Sequence, residues 1–405
     1  MSELNRVLDL MEKYAAKNYK PLPINIVDAE GCWVWTEPGR KDENRYLDCL
    51  AAYGALNQGY NHPRVMQAAI DQIKTGVTVT SRAFLNTPMA DLSKLLCEVT
   101  KQDKAILMNT GAEAVETAMK LVRKWGYKKK GVEKNKAKII ACENNFHGRT
   151  ISIVGISTGK EASEGYGPVT PGFEVIPYGD IEALKNAIDE NTVGFLLEPG
   201  QGEAGVILPP EGYLKEAKKI CEDNNVLFMA DEIQSGWGRT GKLFCCEWED
   251  VKPDILILAK AMGGGFPISG VCASDDVMSV FTPGTHGSTF GGNPFCSAVA
   301  IEAIKVVIDE NLAENSRKLG EYFLNGLKKI DSPHVKEYRG RGLWIAIELK
   351  DSAKGARRFC EALMERGILC KETHENTIRI APPLVITKEI IDWALPKFNE
   401  VLTMK

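Results

Sequence analysis

Val226-Leu227-Phe228-Met229-Ala230-Asp231-Glu232-Ile233-Gln234 and Ile255-Leu256-Ile257-Leu258-Ala259-Lys260 decide the fold of this chain. Each is a short apolar run that ends in an ionisable residue. Runs rich in branched and aromatic side chains read as strands buried on both faces of a parallel sheet. In such sheets ligands bind beyond the carboxyl ends of the strands, which is where Asp231 and Lys260 fall. Their separation, 260 − 231 = 29 residues, fits one excursion between sheet strands, so both side chains can line one crevice.

Apolar runs at 105–108, 138–142, 193–197 and 269–273 extend the pattern. Helical spacings such as Val115, Ala118, Met119 and Val122 lie between several of them. Strands alternating with helices imply an α/β fold with a mostly parallel sheet covered on both faces. Towards the C-terminus long helical patterns at 298–308 and 313–329 give way to Gly342-Leu343-Trp344-Ile345-Ala346-Ile347 and a closing αβ unit. We expect an N-terminal segment, 1–53, packed on the body and on a partner subunit, a large domain at 54–300 and a smaller α+β domain at 301–405.

Composition narrows the function classes. The 405 residues are 44% hydrophobic and 26% charged with a net charge of -4, ordinary for a globular enzyme and without the basic excess of a nucleic-acid surface. The 11 cysteines lack CxxC spacing and fall mostly inside apolar stretches, and the 5 histidines lack HExxH spacing. They read as small buried hydrophobes in a reducing compartment, with no metal site. Leu4, Val7, Leu8, Met11 and Tyr14 recur at helical spacing but are interrupted by Glu3, Asp9 and Glu12, unlike a secretory or transit peptide. No apolar run approaches membrane-spanning length, so a cytoplasmic, non-membrane protein is expected.

Taken singly, Asp231 is the kind of residue that caps a helix or binds magnesium, and Lys260 the kind that is simply solvated. Brought together in one crevice they meet the needs of pyridoxal 5'-phosphate. The lysine can form a Schiff base with its aldehyde, and the acid keeps the pyridine nitrogen protonated so that the ring accepts electrons. Asn109-Thr110-Gly111-Ala112-Glu113-Ala114 opens a helix and suits either a phosphate or a simple cap. His286-Gly287-Ser288-Thr289-Phe290-Gly291-Gly292-Asn293-Pro294 suits phosphate binding or a turn-rich surface loop. Phe146-His147-Gly148-Arg149-Thr150 offers an aromatic to stack on a planar ring and a guanidinium for a carboxylate, or else a surface salt bridge. Two motifs of other reaction classes fail. Gly236-Trp237-Gly238-Arg239-Thr240-Gly241-Lys242 resembles a phosphate-binding loop but is followed by Leu243 where Ser or Thr should hold magnesium. Gly155-Ile156-Ser157-Thr158-Gly159 has the nucleophile-elbow pattern but leads into loop-like sequence instead of a helix.

Together these residues resemble the class III aminotransferases, which have the fold-type I pyridoxal-phosphate architecture, over nearly the whole chain. The ornithine branch of that family is matched at Asn18-Tyr19-Lys20-Pro21-Leu22-Pro23, Ala52-Tyr53-Gly54-Ala55-Leu56-Asn57-Gln58-Gly59, Thr80-Ser81-Arg82-Ala83-Phe84, Asn109-Thr110-Gly111, Arg123-Lys124-Trp125-Gly126-Tyr127 and Ile378-Arg379-Ile380-Ala381-Pro382-Pro383. The resemblance implies that Lys260 carries the cofactor and shuttles the proton, and that Asp231 pairs with the ring nitrogen. Gln234 would lie near the ring hydroxyl, with Phe146 and Ile233 on the two ring faces. Gly111 and Ala112 would meet the phosphate, joined by Ser288 and Thr289 from the neighbouring subunit of a homodimer or higher homo-oligomer.

On the substrate side, the resemblance implies transfer of the δ-amine of ornithine to 2-oxoglutarate. Glu203 would mask Arg379 while the amine donor reacts, Arg149 would hold a distal carboxylate, and Tyr19 and Tyr53 would shape the donor site. His147 is shared with the acetylornithine branch, which stays open beside other class III ω-aminotransferases and a non-catalytic binding relative. Gly200 stands where the family usually has a branched aliphatic, which implies a looser Glu203 loop.

Overall fold

The computed structural model describes residues 3–405. Its centre is a seven-stranded sheet. In spatial order the strands are Lys104–Met108, Ser269–Ala273, Ile255–Leu258, Leu227–Asp231, Thr192–Leu197, Lys138–Cys142 and Phe173–Ile176. Ser269–Ala273 runs antiparallel to both of its neighbours, and the other adjacent pairs are parallel. The expected mostly parallel, doubly covered sheet is what forms. Every residue of Thr192–Leu197, Leu227–Asp231 and Ile255–Leu258 is buried, because helices cover both faces. One face packs on the helix Gly111–Trp125 through Ala114, Val115, Ala118 and Val122. The other packs on Thr87–Thr100, Tyr213–Asp223 and Pro294–Asp309. The sequence pattern missed the edge strand Phe173–Ile176, where Phe-Glu-Val-Ile is only partly buried and carries no continuous apolar run.

A second core lies around an antiparallel sheet with the order Val335–Gly340, Ile345–Leu349, Thr377–Ile380, Lys371–Thr373. The helices Leu312–Leu327, Arg357–Met364 and Lys388–Leu402 pack there through Phe323, Phe359 and Phe398. The N-terminal strands Asp28–Glu30, Trp33–Trp35 and Arg45–Asp48 form a small sheet completed by Ile368–Leu369, parallel to the third of them. Leu47 and Cys49 therefore share a core with Ile368 and Ile378.

The phosphate-loop look-alike at 236–242 is a buried junction. Arg239 is wholly inaccessible and donates to Leu343 O at 2.8 Å, Pro382 O at 2.6 Å and Asn57 Oδ1 at 2.5 Å, fastening three distant segments. After the elbow look-alike a single helical turn, Lys160–Ser163, does follow, but Ser157 donates to Ile153 O at 3.5 Å, inside its own turn.

Close approach between the helix Leu312–Leu327 and the 341–343 turn requires glycine. A Cβ on Gly320 would stand 2.0 Å from the carbonyl carbon and oxygen of Gly342, and backbone cannot yield as a side-chain end does. Gly320→Ala is expected to cost about 3 kcal/mol, the upper part of the range for overpacking. Denaturant unfolding checks this, and a variant as stable as the parent would refute the tight contact.

Candidate active site

Three adjacent strands deliver ionisable groups to one crevice. Glu198 follows Leu197, Asp231 ends its strand, and Lys260 lies two residues beyond Leu258. The crevice encloses about 390 Å³ and is lined by Lys260, Asp231, Glu198, Gln234, Phe146 and Ile233, with Gly111 and Ala112 at the end formed by the helix start. Of the nine residues expected from the sequence around a cofactor, seven, namely Lys260, Asp231, Gln234, Phe146, Ile233, Gly111 and Ala112, line one cavity together with His147, and Thr289 is not among its walls. Ser288 does not line it.

Asp231 is held from two sides. Its Oδ1 accepts the Ile233 N–H at 3.1 Å, and its Oδ2 lies 2.7 Å from Nδ1 of His147, which is buried. Burial alone would depress the His147 imidazole, but the Asp231 carboxylate outweighs it and keeps its pKa above the ordinary histidine value. Glu198 accepts the Phe146 N–H at 2.9 Å, and its burial pushes it up to about 7 against the attraction of His147. The sequence marked His147 only as a branch marker. Its partner lies 84 residues away, so no local pattern could have shown the pairing.

Lys260 sits in the left-handed region at φ 48, a conformation costly for a residue with a side chain. Burial lowers its ammonium to about 8; Glu203 and Asp231 oppose that shift and Arg379 adds to it. About half of the amine is therefore uncharged near pH 8, the form able to attack a carbonyl.

The helix start at 109–114 forms the expected cap. Thr110 Oγ1 accepts the Glu113 N–H at 3.2 Å while Glu113 Oε2 accepts those of Thr110 at 2.7 Å and Asn109 at 3.0 Å, a full capping box. The Gly111 and Ala112 N–H groups belong to the first turn, where the helix itself offers no acceptor, and both residues line the cavity. Ser288 lies beside this start in its own chain, accepting the Asn109 Nδ2 donor at 3.0 Å and the Gly291 N–H at 3.1 Å. Thr289 is exposed.

Beyond Gln234 the polar chain continues outwards. Gln234 Nε2 donates to Glu203 Oε1 at 3.1 Å, and the same oxygen takes the Arg379 Nη1 donor at 2.5 Å. Burial would raise the Glu203 carboxyl, but Arg379 and Lys260 overcome it and bring it down to about 2. The Arg379 guanidinium lies 5.5 Å from the Tyr53 ring centroid. Tyr53 projects from an unusual turn in which Ala51, Ala52 and Tyr53 have φ of 47, 48 and 60, followed by Gly54 at 85. Asp48 enforces it by accepting the Leu50 N–H at 2.7 Å and the Ala51 N–H at 3.1 Å.

Tyr53 and Tyr19 line a second cavity of about 550 Å³. Arg149 is brought to neither; it lies 5.7 Å from the Phe146 ring and lines a third, with Ile151 and Tyr166. The Gly200 expectation is corrected. A Cβ there would meet Leu208 Cδ2 at 3.1 Å and Trp344 Cζ3 at 3.2 Å, so the space of the missing branch is already filled and the Glu203 loop is packed, not loosened.

The residues fit pyridoxal 5'-phosphate. Gln234 Oε1 is buried at the crevice without a hydrogen-bond partner, an acceptor suited to a ring hydroxyl, and Lys260, Asp231 and the open helix start offer an amine, an anion and N–H donors. The Aminotransferase class-III model matches residues 14–402. The chain belongs to the class III aminotransferase family. It is 55% identical over 403 residues to an ornithine aminotransferase of Brevibacillus brevis, covering 99% of each chain. An ornithine aminotransferase from Toxoplasma gondii, solved with partial occupancy of PLP at its active site, superposes with a TM-score of 0.96 at 42% identity, over 98% of this chain and 94% of that one. An acetylornithine aminotransferase from Elizabethkingia anophelis superposes with a TM-score of 0.90 at 45% identity, over 99% of both.

The Lys260 environment gives a pH test. Reaction of its amine with pyridoxal, trapped with borohydride and read by mass, should accelerate through a midpoint near pH 8. Glu203→Gln removes the anion that opposes the shift, so the midpoint should move lower. A midpoint that stays put or rises would contradict this electrostatic account.

Proposed function

We propose that this aminotransferase moves the δ-amino group of ornithine to 2-oxoglutarate, releasing glutamate and glutamate 5-semialdehyde, which cyclises to 1-pyrroline-5-carboxylate. The observation that carries this reading is the Glu203–Arg379 pair at 2.5 Å beside Tyr53. A bare arginine near the reacting centre would grip the α-carboxylate of ornithine and present the wrong amine. With Glu203 on it, Arg379 offers no free charge to that carboxylate, which favours entry of the δ-end. When 2-oxoglutarate arrives, its own α-carboxylate replaces Glu203 on the arginine. The full-length likeness to the ornithine aminotransferase of Brevibacillus brevis supports the same substrate.

When bound, pyridoxal 5'-phosphate supplies the electron sink that lets an amine-bearing carbon lose a proton. Lys260 would hold it through Nζ and then take that proton from one carbon and return it to another. Asp231, steadied by His147 and the Ile233 N–H, would hold the proton of the pyridine nitrogen. Phe146 and Ile233 would confine the ring, and the first-turn N–H groups of Gly111 and Ala112 would take the phosphate. Arg149 is assigned the distal carboxylate, Tyr19 the α-amino end of the donor, and Tyr53 the narrowing of the site.

We infer a homodimer, or a higher homo-oligomer, in which Ser288 and Thr289 reach the neighbouring phosphate. In support, Phe84, Leu85 and Phe290 are 69%, 95% and 58% exposed, and the segments carrying them are tied together by Phe295 N–H to Thr78 O at 3.3 Å. The helix Glu3–Tyr14 likewise buries none of its residues within one chain. Among the described residues no helix is long and apolar enough to cross a membrane. The cytoplasm is proposed on the strength of 11 unpaired cysteines.

The alternative donor, N-acetylornithine, is favoured by His147 and by the likeness to the Elizabethkingia anophelis acetylornithine aminotransferase. Competition between equal concentrations of the two donors decides, and preference for the acetylated one would overturn the ornithine assignment. Glu203→Ala should raise the rate with the α-amine of glutamate relative to the δ-amine of ornithine by about tenfold, the worth of one charge-assisted contact. An unchanged ratio would refute the masking role.

A further inference from the structure

The route from the helix Glu3–Tyr14 to the first sheet is sparsely tethered. After the Ala15 N–H bonds to Met11 O, the next backbone bond to another segment is from Val27 N–H to Trp35 O. Between them, Pro21 and Pro23 lack N–H groups and cannot join a sheet ladder. Among the described residues, one side chain outside this stretch bonds its backbone. Arg357 Nη1 donates to Lys20 O at 3.2 Å and Nη2 to Pro21 O at 3.1 Å.

The guanidinium is fixed from its other side. It opens the helix Arg357–Met364, where Nε donates to Glu361 Oε1 at 2.8 Å and Nη1 to Glu372 Oε1 at 3.3 Å. Its planar fork thus joins two carboxylates of the C-terminal region to two consecutive carbonyls of the N-terminal segment, a geometry that the single ammonium of lysine cannot reproduce. Tyr19 adjoins the first tethered carbonyl, and Tyr19, Tyr53 and Arg357 line the same 550 Å³ cavity. Arg379 is held separately, by Glu203 and the strand Thr377–Ile380.

We propose that Arg357 is a positioning residue for the amine donor, pinning the Tyr19–Lys20–Pro21 segment against the cavity so that Tyr19 is presented to the substrate. It rests on the assignment of Tyr19 to the donor's α-end. Arg357 does not line the crevice that holds Lys260, so its removal acts on donor affinity and leaves the acceptor half of the reaction alone.

The two half-reactions of the loaded enzyme, each followed by stopped-flow absorbance, test this with Arg357→Ala and Arg357→Lys. The lysine variant keeps a cation beside Glu361 and Glu372 and guards against simple misfolding. In the alanine variant the dissociation constant for ornithine should rise about tenfold, and in the lysine variant about threefold, with limiting rates and 2-oxoglutarate affinity within about twofold of the parent. Trypsin should also cut after Lys17 faster in both variants. Unchanged donor affinity, or equal weakening of donor and acceptor, would overturn the proposal. If the parent enzyme takes a different ω-amine, the ornithine assignment falls, and the same comparison with that amine still decides the role of Arg357.

Discussion

A strand covered by helices on both faces has no room for an ionisable side chain except at its ends, and the active site follows from that constraint. Thr192–Leu197, Leu227–Asp231 and Ile255–Leu258 are buried throughout, and each delivers one charge-bearing residue at its carboxyl end. Because the three strands are parallel neighbours, Glu198, Asp231 and Lys260 arrive on the same side of the sheet. The same burial then tunes them. It pushes Glu198 up to about 7 and Lys260 down to about 8, while the Asp231 carboxylate is kept in place by an imidazole and a backbone N–H. The pKa pattern is a consequence of the fold, and it leaves an amine ready for carbonyl chemistry.

Specificity is organised at one remove. Gln234 reaches out of the crevice to Glu203, Glu203 covers Arg379, and Arg379 faces Tyr53. Lys260 and the 51–53 turn adopt left-handed backbone that ordinarily costs about 1–3 kcal/mol per residue, and the start of the turn is held by the Leu50 and Ala51 N–H groups on Asp48. Glu203 also bears on stability. Its carboxyl lies lower in the folded chain than in an unfolded one, so its contribution is complete above the ordinary carboxylate range. That contribution is lost as the pH falls through about 2.

Much of this was legible in the residues because doubly buried strands write themselves as unbroken apolar runs. Asp231 and Lys260 stood out for ending such runs, and the small residues at 111–112 stood out for opening a helix. What escaped had no local signature. The edge strand Phe173–Ile176 is half-solvated, and the His147–Asp231 contact spans 84 positions. The turn at Ala51-Ala52-Tyr53 contains none of the residues that favour positive φ before Gly54; it is imposed by Asp48. The consequence of Gly200 was misjudged because sequence cannot tell that Trp344 and Leu208 fill the vacated space.

The central claim is that the site selects one end of a substrate bearing two amines. Ornithine labelled with ¹⁵N at the δ-nitrogen alone, incubated with the enzyme and 2-oxoglutarate, tests it directly through the isotope content of the glutamate formed. Masking of Arg379 by Glu203 requires nearly all of that glutamate to carry the label. Unlabelled glutamate, its nitrogen drawn from the α-position, would contradict the account.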